Sequence, residues 1–133
     1  MSQENVEIVR RVVTEFTETH QLSELVAPDL VWDLRSWPAW SGQPEFRGRD
    51  GFMDFFAEWT DAYEDWTQEV ESFIDAGDTQ IVVTARQRGR LSGSDSWVAL
   101  RLGFLYTVEN GLMVRAEVYA SPEQALEAAG LRE

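Results

Sequence analysis

Apolar and polar residues alternate along the chain with two different periodicities. Residues 3–19 repeat an apolar residue every three or four positions, which predicts an amphipathic helix. A short second helix is predicted over residues 22–26, and the stretch "LVWDLR" at 30–35 is predicted to form a strand. The N-terminal part of the chain is therefore expected to be mainly helical, with one early strand.

Proline and glycine interrupt the next stretch, residues 36–48, which is predicted to leave the sheet as an irregular excursion. Within it, "EFR" at 45–47 favours a short strand. A third helix is predicted over residues 51–65, because Phe, Trp and Tyr recur there on one wide face. Such a broad aromatic face is expected to pack against a concave surface.

In the second half of the chain, apolar and polar residues alternate as is typical of β-strands. Residues that favour turns separate these segments, and Asn110-Gly111 is the strongest such signal. The predicted strands are residues 67–75, 79–91, 96–108 and 112–120. A short C-terminal helix is predicted over 122–130. Helices followed by hairpin-linked strands indicate an α+β fold. We expect a curved antiparallel sheet bent into a cone, with the three N-terminal-half helices over its concave side and a cavity between them.

Length and residue usage limit the class of protein. A chain of 133 residues is expected to form one domain over residues 1–133. With no cysteine and one histidine, neither a disulfide framework nor a metal site is expected. No stretch approaches the run of about 18 apolar residues that spans a membrane, and the N-terminus does not resemble a signal peptide, so a cytoplasmic location is expected.

The charge is strongly acidic, with 24 acidic residues against 11 basic ones and a net charge of −13. This balance opposes binding to nucleic acid or to an anionic membrane surface. The one basic exception is "ARQRGR", where Arg86, Arg88 and Arg90 alternate and share one face of a strand. They are expected either to pair with nearby acids or to line a subunit interface.

The order of these elements and several short sequence segments resemble the SnoaL-like branch of the nuclear transport factor 2-like superfamily. The segments that carry the resemblance are "SQENVEIVRRVV", "APDLVWD", "FRGRDGFMDFFAEW", "ESFIDAGDTQIVV", "RQRGR" and "ENGLMVRAEVYASPEQALEAAGL". The resemblance implies the cone-shaped fold and, commonly, a homodimer through the convex face of the sheet. It implies no single activity, because the fold serves polyketide cyclases, isomerases, dehydratases, hydrolases and binding modules alike.

The chemistry of these relatives carries over only in part. A ketosteroid isomerase-type site needs a tyrosine on the first helix and an acid on a late strand, where this chain has Phe16 and Phe104. The base position falls at Asp33 or Leu34. We therefore take Asp33 as the candidate base and Tyr106 as an orienting donor, with an Asp33–arginine salt bridge as the alternative.

Residue types for an epoxide hydrolase-like set are also present, namely Asp33, Arg101 and Glu117. Strand alternation places Arg101 and Glu117 opposite the apolar positions of their strands, which favours a place outside the cone, in a dimer interface.

An aromatic pocket is the main functional prediction. Besides Tyr106, the residues expected to contact a ligand are Phe16, Trp32, Trp37, Trp40, Phe55, Trp59, Leu102, Phe104 and Val118. Trp37 and Trp40 follow the first strand, and three roles are open to them: a lid at the mouth, a subunit contact, or local packing. Phe55 and Trp59 are equally consistent with a filled core.

Two functions remain open. One is an isomerase-, cyclase- or hydrolase-type enzyme acting on a small hydrophobic ring compound, without a cofactor, with Asp33 as base. The other is a non-catalytic small-molecule-binding or dimeric structural module. They differ in whether Asp33 points into the cavity without an ion-pair partner.

Overall fold

Six strands form one curved sheet that is flanked by three helices, described over residues 2–131 in a computed structural model. The elements in chain order are α1 (Ser2–Thr19), β1 (Val26–Asp33), β2 (Glu45–Arg47), α2 (Gly48–Thr60), β3 (Tyr63–Asp75), β4 (Gln80–Leu91), β5 (Trp97–Glu109), β6 (Leu112–Tyr119) and α3 (Pro122–Ala128). The α+β class, the late strands and the short strand at 45–47 agree with the sequence prediction.

The strand order is β2-β1-β6-β5-β4-β3, and one pair departs from the expected antiparallel sheet. β3 to β6 follow one another as antiparallel hairpins, whereas β1 lies parallel to β6. Parallel neighbours need a long connection. The chain supplies one, because α2 and four strands intervene between β1 and β6. The sheet is therefore mixed.

The predicted helix at 22–26 is wrong. Residues 24 and 25 form a turn, and Val26 already begins β1. So short a segment gains little from helical hydrogen bonds. Its carbonyls instead accept from the Arg49 guanidinium, which donates to Leu22, Ser23 and Val26 at 3.1, 2.7 and 3.0 Å. The N-terminal half thus holds two helices, and α3 is the third.

The helix predicted at 51–65 begins and ends earlier, as α2. The Thr60 hydroxyl donates to the Phe56 carbonyl at 2.8 Å, and Asp61 closes the last turn. Tyr63 then begins β3, so it belongs to the sheet although its ring still lies 5.4 Å from that of Trp59.

The two sheet faces are covered by different elements. α1 and α2 pack on the inner face and enclose the main apolar core. α3 packs on the outer face, where Ala125 meets Val82 and Leu105. A Cβ on Gly103 would lie 2.6 Å from the Ala125 Cβ, so only glycine admits α3 at this distance. No helix in the described part of the chain is long and apolar enough to cross a membrane.

Candidate functional site

A cavity lies between the two N-terminal helices and the inner face of the sheet. Its free volume is about 60 Å³. The lining residues are mostly aromatic or aliphatic: Val12, Val13, Phe16, Leu22, Val26, Leu30, Trp32, Trp37, Phe52, Phe55, Phe56, Trp59, Trp66, Gln68, Gln87, Leu102, Phe104, Tyr106, Met113 and Val118. None of these side chains carries a charge.

Strand register builds the sheet wall of the cavity. Trp32 on β1 and Tyr106 on β5 both pair with Ala116 on β6, so they flank a small side chain in one row across the sheet. Their ring centroids are 6.5 Å apart. Phe104, two residues from Tyr106 on the same face, stacks on it at 5.9 Å. Because Ala116 between them is small, the two rings can approach each other across it.

α2 supplies the opposite wall. Phe52 and Phe55 are buried, and both face the indole of Trp32, at centroid distances of 4.6 and 5.6 Å. Phe16 of α1 meets Phe52 edge to face at 5.2 Å. Such tilted and edge-to-face contacts are favoured between aromatic rings. They hold this part of the wall in place by aromatic contact.

The excursion after β1 places its two tryptophans differently. Trp37 is buried, lines the cavity, and meets Trp59 edge to face at 4.7 Å. Trp40 lies behind the wall, against Phe55 at 4.9 Å, and is not among the lining residues. Its indole N–H donates to the Gln43 carbonyl at 2.8 Å. Of the three roles that the sequence left open, local packing is the one in which the structure places Trp40.

A chain of side-chain hydrogen bonds crosses the other end of the cavity. The Trp59 indole donates to Gln87 Oε1 at 3.0 Å, and Gln87 Nε2 donates to Gln68 Oε1 at 2.8 Å. Gln68 Nε2 in turn donates to the Thr17 hydroxyl at 3.3 Å. These bonds tie both N-terminal helices to β3 and β4, and they satisfy the buried Gln87 amide.

Three donors at the cavity lack an acceptor among the described residues. The indole nitrogens of Trp32 and Trp66 are buried without a hydrogen-bond partner. The Tyr106 hydroxyl has no hydrogen bond within the described part of the chain, and burial raises the pKa of Tyr106 above its ordinary value. The phenol therefore stays protonated near neutral pH and is available as a donor.

Asp33, the predicted base, lies on the outer face of β1, outside the cavity. Its carboxylate pairs with the Arg115 guanidinium and accepts from the Arg35 backbone N–H at 2.9 Å. The alternation of a strand explains this placement, since Trp32 faces inward and its neighbour must face outward. The alternative, an Asp33–arginine ion pair, is what the structure shows.

The outer-face network continues beyond Asp33. Arg115 Nε lies 3.4 Å from a Glu117 oxygen, and the Tyr119 hydroxyl donates to the other oxygen at 2.6 Å. Burial, and then this hydrogen bond to a carboxylate, raise the pKa of Tyr119 to about 12. An Asp–Arg–Glu set therefore exists, but it uses Arg115 and faces away from the cavity.

The arginines of β4 and β5 also have partners on the surface. Arg86 and Arg101 both pair with Glu71, at 3.6 and 3.0 Å. Arg90 pairs with Glu64 and Asp65, and the Arg88 guanidinium lies 4.3 Å from the Trp97 ring. The pairing of "ARQRGR" with nearby acids is thus observed for two of its three arginines.

Sequence reasoning missed several lining residues. Phe52 and Phe56 belong to the aromatic stripe of α2, so the periodicity contained that signal. Trp66 carried no such signal. The β3–β4 register shifts between Glu64 and Thr67, where Asp65 has a φ of 57°, and this irregularity accompanies the placement of Trp66 at the cavity.

The chain belongs to the SnoaL-like domain family, whose sequence model matches residues 9–116. Three solved structures of similar fold illustrate the class. TerC, co-crystallised with polyporic acid, superposes with a TM-score of 0.73 at 16% identity, over 96% of this chain and 98% of TerC. A putative SnoaL-like polyketide cyclase from Jannaschia sp. CCS1 gives 0.70 at 19% identity, over 98% and 94%.

An NTF2-like protein from Burkholderia thailandensis E264 gives a TM-score of 0.72 at 18% identity, over 96% of this chain and 98% of that one. No protein of curated function matches the sequence. At these identities, the likeness to solved structures establishes the fold alone.

Proposed function

We propose that this protein binds a small, largely apolar ring compound in the cavity between α1, α2 and the sheet. The observation that carries the proposal is the lining: aromatic and aliphatic side chains on all sides, with a few uncharged polar groups. Ligand sites in proteins have this composition. TerC, which shares the fold, was crystallised with polyporic acid, so a related scaffold accommodates a small organic ligand.

Binding is favoured over acid–base catalysis by the placement of charge. The enzyme hypothesis required Asp33 at the cavity without a partner, and the carboxylate is instead paired with Arg115 on the other face. The described lining residues offer hydrogen-bond donors and amides but no carboxylate or imidazole. We therefore propose a binding module, in which ring-shaped ligands are held by aromatic contact and oriented by Tyr106.

Entry of a ring requires side chains to move. An engineered cavity of about 150 Å³ binds benzene, whereas the free volume here is about 60 Å³. Trp37 is the side chain best placed to move, because it lines the cavity from the irregular excursion rather than from a helix or strand. We therefore propose the role of a lid for Trp37, among the three that the sequence left open.

The six tryptophans supply a test with an internal control. Indane, an uncharged bicyclic probe, is titrated into ¹⁵N-labelled protein while the indole N–H signals are followed. Trp32, Trp37, Trp59 and Trp66 line the cavity, whereas Trp97 is 47% exposed on the surface. We expect saturable shifts of the four lining signals and none at Trp97.

Signals that stay unmoved throughout, or shifts confined to Trp97, would contradict the proposal. A Trp37→Ala variant sharpens the test, because removing the lid side chain should speed association of the probe. Exchange broadening of the remaining lining indole signals should then appear at a lower temperature than in wild-type protein. The homodimer through the convex face, the cytoplasmic location and the single domain over 1–133 stay predictions, and sedimentation velocity tests the first.

A further inference from the structure

Two hydrogen-bond donors without an acceptor lie at one end of the cavity. Tyr106 and Trp32 are 6% and 7% exposed, and both line the cavity. The Trp32 Nε1 is buried without a partner, and the Tyr106 hydroxyl makes no hydrogen bond within the described residues. Buried donors in native proteins are usually paired, so two unpaired ones in the same region call for an explanation.

The sheet register makes the two side chains that carry these donors neighbours. Trp32 and Tyr106 stand on either side of Ala116 in one row, with ring centroids 6.5 Å apart and ring planes inclined by 48°. The other polar groups that line the sheet wall lie on β3 and β4. Gln87, which pairs at Leu100 six residues from Tyr106 along β5, is bonded to Trp59 and Gln68. The Trp66 indole, the third unpaired donor, lies on β3 against Phe56. Trp32 and Tyr106 thus form a separate polar region in an apolar wall.

Charge decides what kind of acceptor this region can take. The lining side chains include no cation, and the chain carries a net charge of −13. A carboxylate entering this cavity would lose its hydration without gaining an ion-pair partner, which is strongly unfavourable. An uncharged oxygen loses much less hydration and satisfies a donor directly.

We propose that Tyr106 and Trp32 are the specificity-determining donors of this site, and that they receive an uncharged acceptor oxygen, such as the carbonyl of a cyclic ketone. This inference rests on the proposed function, since it names the class of ring compound that the cavity selects. In this proposal, the apolar walls provide affinity for any ring of suitable size. The two donors make the site prefer, among ligands of equal shape, those with an acceptor oxygen.

Three probes of similar size distinguish apolar contact, hydrogen bonding to an uncharged oxygen and burial of a charge. They are indane, 1-indanone and indane-1-carboxylate, respectively. Their dissociation constants are measured from the indole signals of wild-type protein and of Tyr106→Phe, Trp32→Phe and Tyr63→Phe. The first two variants keep a ring and remove one donor. Tyr63→Phe is the matched control, because Tyr63 lies on β3 and is not among the lining residues.

The informative quantity is the ratio of the indane to the 1-indanone dissociation constant. We expect this ratio to fall by about fivefold in Tyr106→Phe and by a similar factor in Trp32→Phe, the usual worth of one hydrogen bond. It should stay unchanged in Tyr63→Phe. The carboxylate should bind at least about tenfold more weakly than the ketone to every form.

Stability of the free protein distinguishes a ligand donor from a structural hydroxyl. Because the Tyr106 hydroxyl has no partner in the described chain, Tyr106→Phe should melt at the wild-type temperature or above it. An unchanged ratio in both donor variants, or equal binding of ketone and carboxylate, would overturn the inference while leaving ring binding intact. Failure of indane and 1-indanone alike to bind wild-type protein would instead overturn the proposed function.

Discussion

The inner and outer faces of the sheet differ most clearly at β1, where the consecutive residues Trp32 and Asp33 point to opposite sides. On the inner face, Trp32 has four aromatic neighbours and an indole N–H without an acceptor. On the outer face, Asp33 pairs with Arg115. The carboxylate on the outer face is paired within the chain, whereas the inner face leaves donors without an acceptor among the described residues.

This contrast matters for assigning function in this fold. An acidic residue at the end of the first strand is an attractive candidate base, but a shift of one residue decides whether it meets the cavity or the outer surface. Here it meets the outer surface. The inner position beside it carries the aromatic side chain that defines the pocket.

The largest expected effect on stability comes from truncating Trp32 on the inner face. Trp32→Ala should lower the free energy of unfolding by about 3–5 kcal/mol, because a buried indole is replaced by a void. Urea denaturation followed by circular dichroism measures it. The control is Trp97→Ala, which truncates an indole that is 47% exposed and should change stability by less than about 1 kcal/mol. Similar losses in both variants would contradict the assignment of Trp32 to the core of the site.

Breaking the outer side should cost less. Asp33→Asn should lower the free energy of unfolding by about 1–2 kcal/mol, since it removes an ion pair whose arginine side chain is 37% exposed and partly screened by solvent.

The control for that prediction is a double-mutant cycle with Arg115→Gln, in which the combined loss should be smaller than the sum of the single losses. Indane binding should be unchanged in Asp33→Asn. If Asp33→Asn clearly weakened indane binding without lowering stability, the result would contradict the placement of Asp33 outside the cavity.

Alkaline pH tests the outer network through Tyr119. Its pKa is raised to about 12 in the folded protein, against about 10 in an unfolded chain, so its contribution to stability is complete below pH 10 and is lost as the pH rises to 12. Allowing for screening, the loss attributable to Tyr119 should be about 1 kcal/mol.

The measurement is the free energy of unfolding between pH 9 and pH 12, in wild type and Tyr119→Phe. The composition favours it, because a chain without Lys or Cys has Tyr as its one side-chain type that ordinarily titrates in this window. Tyr106, whose pKa is also raised, acts in the same direction. Parallel curves for the two proteins would be inconsistent with the Tyr119–Glu117 bond.

The smallest effect is expected at the exposed part of the outer face. Glu71 pairs with Arg86 and Arg101, whose side chains are about half exposed. Glu71→Gln should change the free energy of unfolding by less than about 0.5 kcal/mol, because solvent and salt screen such pairs. A loss as large as that of Asp33→Asn would show that the outer face is more cooperative than its exposure suggests.

Local patterns predicted most elements because their causes are local. The hairpin at Asn110-Gly111 is observed, with both residues at positive φ, as such a turn requires. The short strand at 45–47 and the last four strands were found within a few residues of their bounds. The helix at 22–26 failed because Arg49, which is distant in sequence, binds the carbonyls of that turn.

The candidate site was predictable in composition but only partly in membership. Eight of the nine predicted ligand contacts line the cavity, together with Tyr106, whereas Trp40 packs behind it. Phe52 and Phe56 were available from the same helical stripe that gave Phe55 and Trp59. Trp66 was not, since its position depends on an irregularity in β3 that alternation cannot foresee.

The sequence by itself determined the α+β class, the resemblance to the SnoaL-like family and an aromatic interior, because periodicity and turn chemistry act over a few residues. Only the tertiary structure decided whether Asp33 meets the cavity or the outer surface. The parallel pairing of β1 with β6 brings Asp33 beside Glu117 and within reach of Arg115 on the outside, and it brings Trp32 beside Ala116 and Tyr106 on the inside. Those juxtapositions depend on contacts between residues some 80 positions apart, which no local pattern encodes.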